Sequence, residues 1–205
     1  GISGDSTYMN AAWDVACNLD NSIVYVTGAA SNSIAAINVA DPSSPSRVGG
    51  IIDGTNLDNP RGIVYEASGD LLFVACYDGD ALTVLSVADD AASPVVLGSV
   101  SSTSYMDAAR LVASFPAAGL VFVTGWNSDS VCVVDVSDPS TPTVKEGLVD
   151  STYMNGAYGI AWDPAAKLLF ATGYASDSLA VMSVAGTVAE HLAPTPSPTS
   201  WTYGK

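Results

Sequence analysis

One apolar segment of six residues recurs four times along the chain, and no other feature limits the fold as strongly. The copies are IVYVTG at 23–28, LLFVAC at 71–76, LVFVTG at 120–125 and LLFATG at 168–173. Their aromatic residues stand at positions 25, 73, 122 and 170, which gives steps of 48, 49 and 48 residues. A regular period of this length indicates supersecondary units that stack on one another, because a single unit cannot bury its apolar face alone.

Each unit contains the same order of short apolar runs and polar turns. After the aromatic run come a tight turn, a second apolar run and a loop that contains proline, such as DPSSP at 41–45. Short runs separated by Gly, Asn, Asp, Ser and Pro predict strands and hairpins, and no segment has a helical apolar stripe. Four strands in about 48 residues is the spacing of a propeller blade.

The sequence therefore predicts an all-β chain, a β-propeller of four roughly 48-residue, four-stranded antiparallel blades. The blade units are 11–58, 59–107, 108–155 and 156–192, and a Pro/Ser/Thr-rich extended tail follows at 193–205. The pattern leaves open whether the four blades close alone or belong to a larger ring.

The charge balance restricts the partners. Six Lys and Arg against twenty-one Asp and Glu give a net charge of −15, and charged residues make up only 13% of the chain. Phosphate contacts need clustered cations, so we expect no nucleic acid partner and no binding to an anionic membrane surface. No apolar run reaches the roughly 18 residues of a spanning helix, so no membrane insertion is expected.

The cysteines and the histidine offer little chemistry. Cys17, Cys76 and Cys132 form no CxxC pair, which favours buried thiols over a zinc site or a disulfide framework, with one bridge left open. His191, the sole histidine, is expected to be an exposed strand residue. The motifs of serine hydrolases, zinc proteases, phosphate loops and EF-hands are absent. We expect no catalytic residue, no metal and no cofactor.

Polar residues recur in the tight turn of each unit. The set is Asn32, Asp80, Asp129 and Asp177. Asn and Asp tolerate the left-handed backbone of such turns and bond their own backbone, so turn chemistry is favoured over a ring of metal ligands.

Another repeat position combines two arginines with two aromatic residues. Its members, at the start of the first strand of each unit, are Trp13, Arg61, Arg110 and Tyr158. Asp58 and Asp107 precede the arginines by three residues, where the other units have asparagine. Two interpretations remain. The favoured one is a structural ion pair between each arginine and an acidic residue of its own turn or of an adjacent blade. The other is a site where guanidinium forks and flanking rings bind an anionic or sugar ligand.

The fourth unit and its predecessor carry a family resemblance. The phrase SDSVCVVDVSDPSTPTVKEGLVDSTYMNGAYGIAW at 128–162 resembles the bacterial and algal propeller repeats called LVIVP, and the resemblance covers 11–192. It implies the fold rather than an activity. The phrase DSTYMNGA at 150–157 resembles propeller segments of the mastigoneme (flagellar hair) proteins of algae. That likeness implies an extracellular structural subunit that is a candidate for glycosylation.

The ends of the chain lead to a prediction about assembly. Proline alternates with hydroxyl residues over Pro194, Thr195, Pro196, Ser197, Pro198 and Thr199. This composition is typical of extended polyproline II and, in a secreted protein, of O-glycan attachment, with a plain linker as the alternative. Gly1-Ile2-Ser3 aligns with the end of an outer strand, so Ile2, Trp201 and Tyr203 are the expected contacts of a head-to-tail homo-polymer.

These inferences combine into one prediction of function. The chain is expected to be a secreted, non-enzymatic structural module at the extracellular side or cell surface, a subunit of a fibre or filament. Its predicted partners are other copies of itself, with glycans as further candidates. The alternative is a propeller that binds a carbohydrate or an anionic ligand.

Overall fold

The computed structural model describes residues 4–184 with their side chains and the backbone of residues 192–194. These residues form four sheets, each of four antiparallel strands. Within every sheet the strands lie side by side in chain order, so the first and fourth strands are the edges. This arrangement confirms the predicted all-β fold of four propeller blades.

The strands follow the sequence repeat. Blade 1 contains β1 (Ala12–Asn18), β2 (Ile23–Gly28), β3 (Ser33–Asn38) and β4 (Ser46–Ile52). Blade 2 contains β5 (Pro60–Glu66), β6 (Leu71–Cys76), β7 (Ala81–Ser86) and β8 (Val95–Ser101). Blade 3 contains β9 (Ala109–Phe115), β10 (Leu120–Gly125), β11 (Ser130–Asp135) and β12 (Thr143–Val149). Blade 4 contains β13 (Ala157–Asp163), β14 (Leu168–Gly173), β15 (Ser178–Val184) and β16 (Leu192–Pro194).

The repeated aromatic residues occupy equivalent places. Tyr25, Phe73, Phe122 and Phe170 lie on the second strands and pair with the third strand of the same blade. The turns between these strands contain Asn32, Asp80, Asp129 and Asp177, whose φ angles lie between 48° and 50°. Their left-handed backbone confirms the turn chemistry expected from the sequence.

The core lies between the blades rather than inside them. Alternate residues of a second strand face opposite neighbours, since side chains alternate across a strand. In β6, Leu72 and Val74 pack in the cluster with blade 1, whereas Phe73 and Ala75 pack in the cluster with blade 3. A third cluster joins blades 3 and 4. Each blade therefore depends on its neighbours for burial of both faces.

The outward faces of the first and last blades are open. Consecutive blades pack through their first strands, β1 on β5, β5 on β9 and β9 on β13. Leu179 of blade 4 is 54% exposed, although its equivalents Leu82 and Val131 are fully buried. On the other side, Val15 of blade 1 is 53% exposed, against 3% for its equivalent Ile63. The described residues thus form an arc of four blades with two uncovered faces.

Several residues of the predicted tail and ends lie outside the described part of the chain. They are Ile2, His191, Thr195, Pro196, Ser197, Pro198, Thr199, Trp201 and Tyr203. Ala193 and Pro194, which the sequence assigns to the tail, pair with β15. The helical turns of the described residues are short 3-10 segments, Ala29–Ser31 and Pro116–Ala118. No helix among these residues has the length and apolarity needed to cross a membrane.

Candidate functional site: an arginine–aromatic cluster

A β-bulge positions the residues of the candidate site. The pairing of first and second strands is interrupted in every blade, between Ala12 and Val15 in blade 1 and at the corresponding places in the others. The interruption falls at or beside the repeat position of Trp13, Arg61, Arg110 and Tyr158. Bulges re-aim side chains and are frequent next to functional sites. The four side chains consequently leave the interblade core and meet near the blade ends.

The two arginines lie among aromatic rings. The Cζ atom of Arg61 is 4.3 Å from the ring centre of Trp13 and 3.4 Å from that of Tyr77. The Cζ atom of Arg110 is 4.1 Å from the ring centre of Trp126 and 4.7 Å from that of Tyr158. The structure thus brings together all four residues that share the predicted repeat position. We call this group, with the rings that contact it, the arginine–aromatic cluster.

A second repeat position contributes rings that sequence reasoning missed. Tyr77, Trp126 and Tyr174 directly follow the second strands of blades 2, 3 and 4. Trp126 contacts both Tyr158 and Tyr174, at ring-centre distances of 5.9 Å and 5.3 Å. The recurrence of an aromatic residue after each of these strands was visible in the sequence and is the signal that could have revealed them. Blade 1 has Ala29 at this position.

Arg61 and Arg110 form none of the predicted ion pairs with the residues that the structure describes. Within the described residues the ion pairs join Arg47 to Asp5 and Lys145 to Asp135. Asp107, three residues before Arg110, instead accepts a hydrogen bond from the Asn127 side chain at 2.9 Å. The predicted ion pair between Asp107 and Arg110 is therefore wrong. The Asn127 amide donates to the Asp107 carboxylate, and the Arg110 guanidinium stacks on the rings of Trp126 and Tyr158.

Blade 2 shows the same replacement. The Asn59 side-chain amide donates to Asp78 at 2.9 Å, and its oxygen lies 3.4 Å from Nε of Arg61. Asp58, adjacent in the same turn, forms none of the ion pairs in the described part of the chain. The side-chain amides of Asn59 and Asn127 thus make the contacts to carboxylates that the sequence assigns to Arg61 and Arg110.

The electrostatics of the cluster favour an incoming anion. Burial, and then the neighbouring Arg110 guanidinium, lower the pKa of Arg61 from its ordinary value. Arginine nevertheless stays charged near neutral pH. Nε of Arg110 is buried and donates no hydrogen bond to a described residue. The guanidinium groups of Arg61 and Arg110 lie beside each other and contact aromatic rings rather than carboxylates. Their hydrogen-bond donors are therefore suited to an anionic group.

The thiols lie elsewhere. Cys76 and Cys132 are free and buried, and burial raises the pKa of each to about 12. The prediction of a buried thiol is wrong for Cys17, which is exposed because it lies on the open face of blade 1. Among residues 4–184 and 192–194, no three acidic, histidine or cysteine side chains are grouped as metal ligands.

Comparisons with known proteins find likeness in structure but not in sequence. No family model matches the chain, and no curated protein matches it. The periplasmic gluconolactonase of Pseudomonas aeruginosa aligns with 98% of this chain and 60% of its own, with a TM-score of 0.72 and 15% identity. A Bacteroides fragilis protein provisionally named as a 6-phosphogluconolactonase aligns with 89% of this chain and 53% of its own, with a TM-score of 0.70 and 12% identity.

A chain of the nidogen–laminin complex is also similar. It has a TM-score of 0.61 and 14% identity over 84% of this chain and 59% of its own. The chain thus spans between 53% and 60% of the length of these three proteins. At such identities the likeness shows the propeller-type fold alone, and one fold hosts many functions.

The comparison nevertheless corrects the predicted function. The sequence predicts a non-enzymatic subunit of a fibre, and that prediction is contradicted. Similar structures include a gluconolactonase and a protein provisionally named for a related lactonase, and these are the findings that overturn the prediction. The prediction depended on the absence of a catalytic histidine or motif, and such an absence does not exclude an enzyme.

Proposed function

We propose that this chain acts on sugar-acid lactones and that the arginine–aromatic cluster is its substrate site. The observation that carries the proposal is the pair of guanidinium groups without carboxylate partners, held between aromatic rings. The lactonase names among the similar structures support the substrate class. A phosphorylated sugar lactone, or the carboxylate product of any sugar-acid lactone, has the two features that such a site recognises, a negative charge for the arginines and an apolar sugar face for the rings.

The proposed chemistry uses the charge of the cluster. When water adds to the carbonyl carbon of a lactone and loses a proton to solvent, the carbonyl oxygen becomes an oxyanion. Its collapse breaks the bond between the carbonyl carbon and the ring oxygen, and the ring oxygen takes the proton of the new carboxylic acid, which leaves a hydroxyl group and a carboxylate. Donors placed at a developing oxyanion lower the barrier, and removal of one typically costs about 100- to 1,000-fold in rate. Arg110, whose guanidinium lies over Trp126 and Tyr158 and forms no ion pair with a described residue, is the donor we assign to this role. Arg61 would hold a second anionic or polar group of the substrate.

The test combines binding with turnover. Calorimetry with gluconate and 6-phosphogluconate measures affinity, and acid release from glucono-δ-lactone measures opening above the uncatalysed background. Arg110→Met should weaken gluconate binding about 10- to 100-fold, since a hydrogen bond to a charged group contributes about 1.5–3 kcal/mol. It should also slow the catalysed acid release about 100- to 1,000-fold.

A matched control is available on the same chain. Arg47 also lies over a ring, that of Tyr8, but it pairs with Asp5 at 2.5 Å and lies outside the cluster. Arg47→Met should therefore leave both readouts unchanged. Binding of gluconate without accelerated opening would retain the ligand site and reject the enzyme. Equal effects of the two substitutions would reject the cluster as the site.

The proposal also includes the cellular location of the protein and the family of its repeats. A secreted or periplasmic location is supported by the periplasmic neighbour. Assignment to the LVIVP repeats rests on the VVDVSDPSTP phrase at 133–142, while the mastigoneme likeness finds no support in the comparisons. The proposed O-glycan tract and the blade limits at 11–58, 59–107, 108–155 and 156–192 remain predictions. Mass spectrometry of the natural protein would test for glycans on the tract.

A further inference from the structure

In each of the first three blades, the side chain of the turn residue accepts a hydrogen bond from the backbone of the next blade. Asn32 of blade 1 accepts a hydrogen bond from the backbone N–H of Asn59 at 3.0 Å. Asp80 of blade 2 accepts one from Ala108 at 2.8 Å, and Asp129 of blade 3 accepts one from Gly156 at 2.8 Å. The three donors lie in the polar turn before a first strand, which we call the leading turn, and all have a positive φ. The turn residue thus adopts the left-handed backbone of its own turn, and its side chain bonds the following blade.

A buried threonine provides a second bond of the same kind. The Thr27 hydroxyl donates to the Arg61 carbonyl at 2.7 Å, and the Thr124 hydroxyl donates to the Tyr158 carbonyl at 2.9 Å. Both acceptors belong to the first strand of the following blade. Blade 2 has Ala75 at this position. The interior interfaces therefore follow one plan, with polar contacts at the turn and apolar contacts along the strands.

Blade 4 carries the same groups without a following blade. The Asp177 carboxylate accepts no hydrogen bond from a described residue, and the Thr172 hydroxyl accepts from Gly159 at 2.8 Å but donates to none of the described acceptors. These two residues and Tyr174 line a recess of about 500 Å³. Leu179, 54% exposed, lies on the same face. In the interior interfaces the leading turn and first strand of the next blade lie at these positions.

Blade 1 presents the complementary groups on its opposite side. Ala11 stands at the repeat position of the three donors and has the same left-handed backbone, with φ of 53°. Its N–H has no acceptor among the described residues. Trp13 stands at the position of the two carbonyl acceptors, and Val15 and Cys17 are the exposed apolar residues of this face. One chain therefore offers both halves of an interblade interface.

We propose that the open face of blade 4 binds the open face of blade 1 of a second copy of this chain, as interior blades bind one another. The Asp177 carboxylate then accepts from Ala11 of the second copy, Thr172 donates to Trp13, and Leu179 is buried. Two arcs joined in this way at both ends give a ring of eight blades, which lies within the known range of about four to eight. The proposal concerns assembly and does not depend on the lactone chemistry, although Trp13 and Tyr174 of the arginine–aromatic cluster lie at the joined faces.

The first experiment measures mass in solution. Sedimentation velocity or light scattering of the full chain should give twice the 20.8 kDa chain mass. Leu179→Asp should reduce this species to the single-chain mass, because an unpaired carboxylate cannot be buried in the interface without a large cost. Val95→Asp is the matched control, since Val95 is 58% exposed on an outer strand away from both faces. It should leave the two-copy species intact.

Ionic strength gives an independent readout. Each chain carries a net charge of −15, so two copies repel each other at low salt. Added sodium chloride screens this repulsion, and the two-copy fraction should rise with salt. A chain that remains single at every concentration and salt level would overturn the proposal. So would an assembly that Leu179→Asp does not affect.

Chemical cross-linking tests which faces meet. Phe170 and Cys17 occupy the repeat positions of Phe122 and Trp162, whose ring centres are 5.4 Å apart across the interface of blades 3 and 4. In the Phe170→Cys variant, a short bis-maleimide should therefore link the introduced thiol of one copy to Cys17 of another. Cys76 and Cys132 should stay unreacted, because they are buried and their pKa is raised. The same yield from wild-type protein or from Val95→Cys would overturn the head-to-tail arrangement.

Discussion

Substitution of Thr124 by valine should reveal how much one interblade bond contributes. Thr124 is fully buried, its oxygen accepts from the Leu111 N–H at 3.1 Å, and its hydroxyl donates to the Tyr158 carbonyl at 2.9 Å. Valine keeps the shape and removes both bonds. Each buried backbone group left without a partner costs about 1–3 kcal/mol, so the loss of both partners should lower the free energy of unfolding by about 2–6 kcal/mol.

The repeat supplies a control for this substitution. Thr172 holds the same position in blade 4, yet it is exposed and bonds only Gly159 among the described residues. Water can replace that bond, so Thr172→Val should change the free energy of unfolding by no more than about 0.5 kcal/mol. Both variants are best studied in a Leu179→Asp background, where self-association does not contribute.

Urea unfolding followed by tryptophan fluorescence is a suitable assay. Trp162 packs on Phe115 and Phe122 across the interface that Thr124 stabilises, with ring centres 4.7 Å and 5.4 Å apart. In a variant that keeps Trp162 as its only tryptophan, fluorescence therefore reports separation of blades 3 and 4, and circular dichroism reports loss of the strands. If Thr124→Val and Thr172→Val lower the midpoint equally, the interblade bonds contribute nothing particular, and the reasoning from burial is refuted.

Two further predictions concern titratable groups. Cys17 should react with a thiol reagent in the native protein, whereas Cys76 and Cys132, whose pKa burial raises to about 12, should react only after unfolding; more than one reactive thiol per native chain would contradict this. Lys145→Met should raise the pKa of Asp135 from about 2, since the Lys145 hydrogen bond is the main cause of its depression, and an NMR titration measures the shift. A depressed carboxyl pKa stabilises the fold above the unfolded-state value of about 3.9, and the contribution is lost as pH falls through about 2. Because both partners are partly exposed, the loss in Lys145→Met near neutral pH should not exceed about 1 kcal/mol and should vanish in strong acid.

The repeat made the fold predictable from the sequence, because the same local choices are made four times. The positive φ of Asp80 and its equivalents followed from turn chemistry alone. The shared repeat position of Arg61 and Arg110 was visible in the same way. These inferences depend on spacing and on local preference, which a single sequence displays directly.

What the arginines contact could not be predicted in the same way. The spacing of three residues from Asp107 to Arg110 suggests an ion pair, yet a bulge and a turn separate them, and Asn127 from another loop takes the carboxylate. The exposure of Cys17 could not be predicted for the same reason, since burial at its position depends on a neighbouring blade and not on its own strand. Contacts between distant segments compete with local contacts, and the sequence pattern does not show which of the two forms.

The hydrogen bond from each leading turn to the preceding turn residue also bears on how such chains change in evolution. Asp80 and Asp129 accept the same kind of donor, so duplication or deletion of one whole unit would put an equivalent N–H in the same place. An insertion of a few residues between the turn and the following unit would displace the donor and leave the carboxylate without it. Relatives of this chain should therefore differ in length by whole units of about 48 residues and vary freely elsewhere only in their exposed loops.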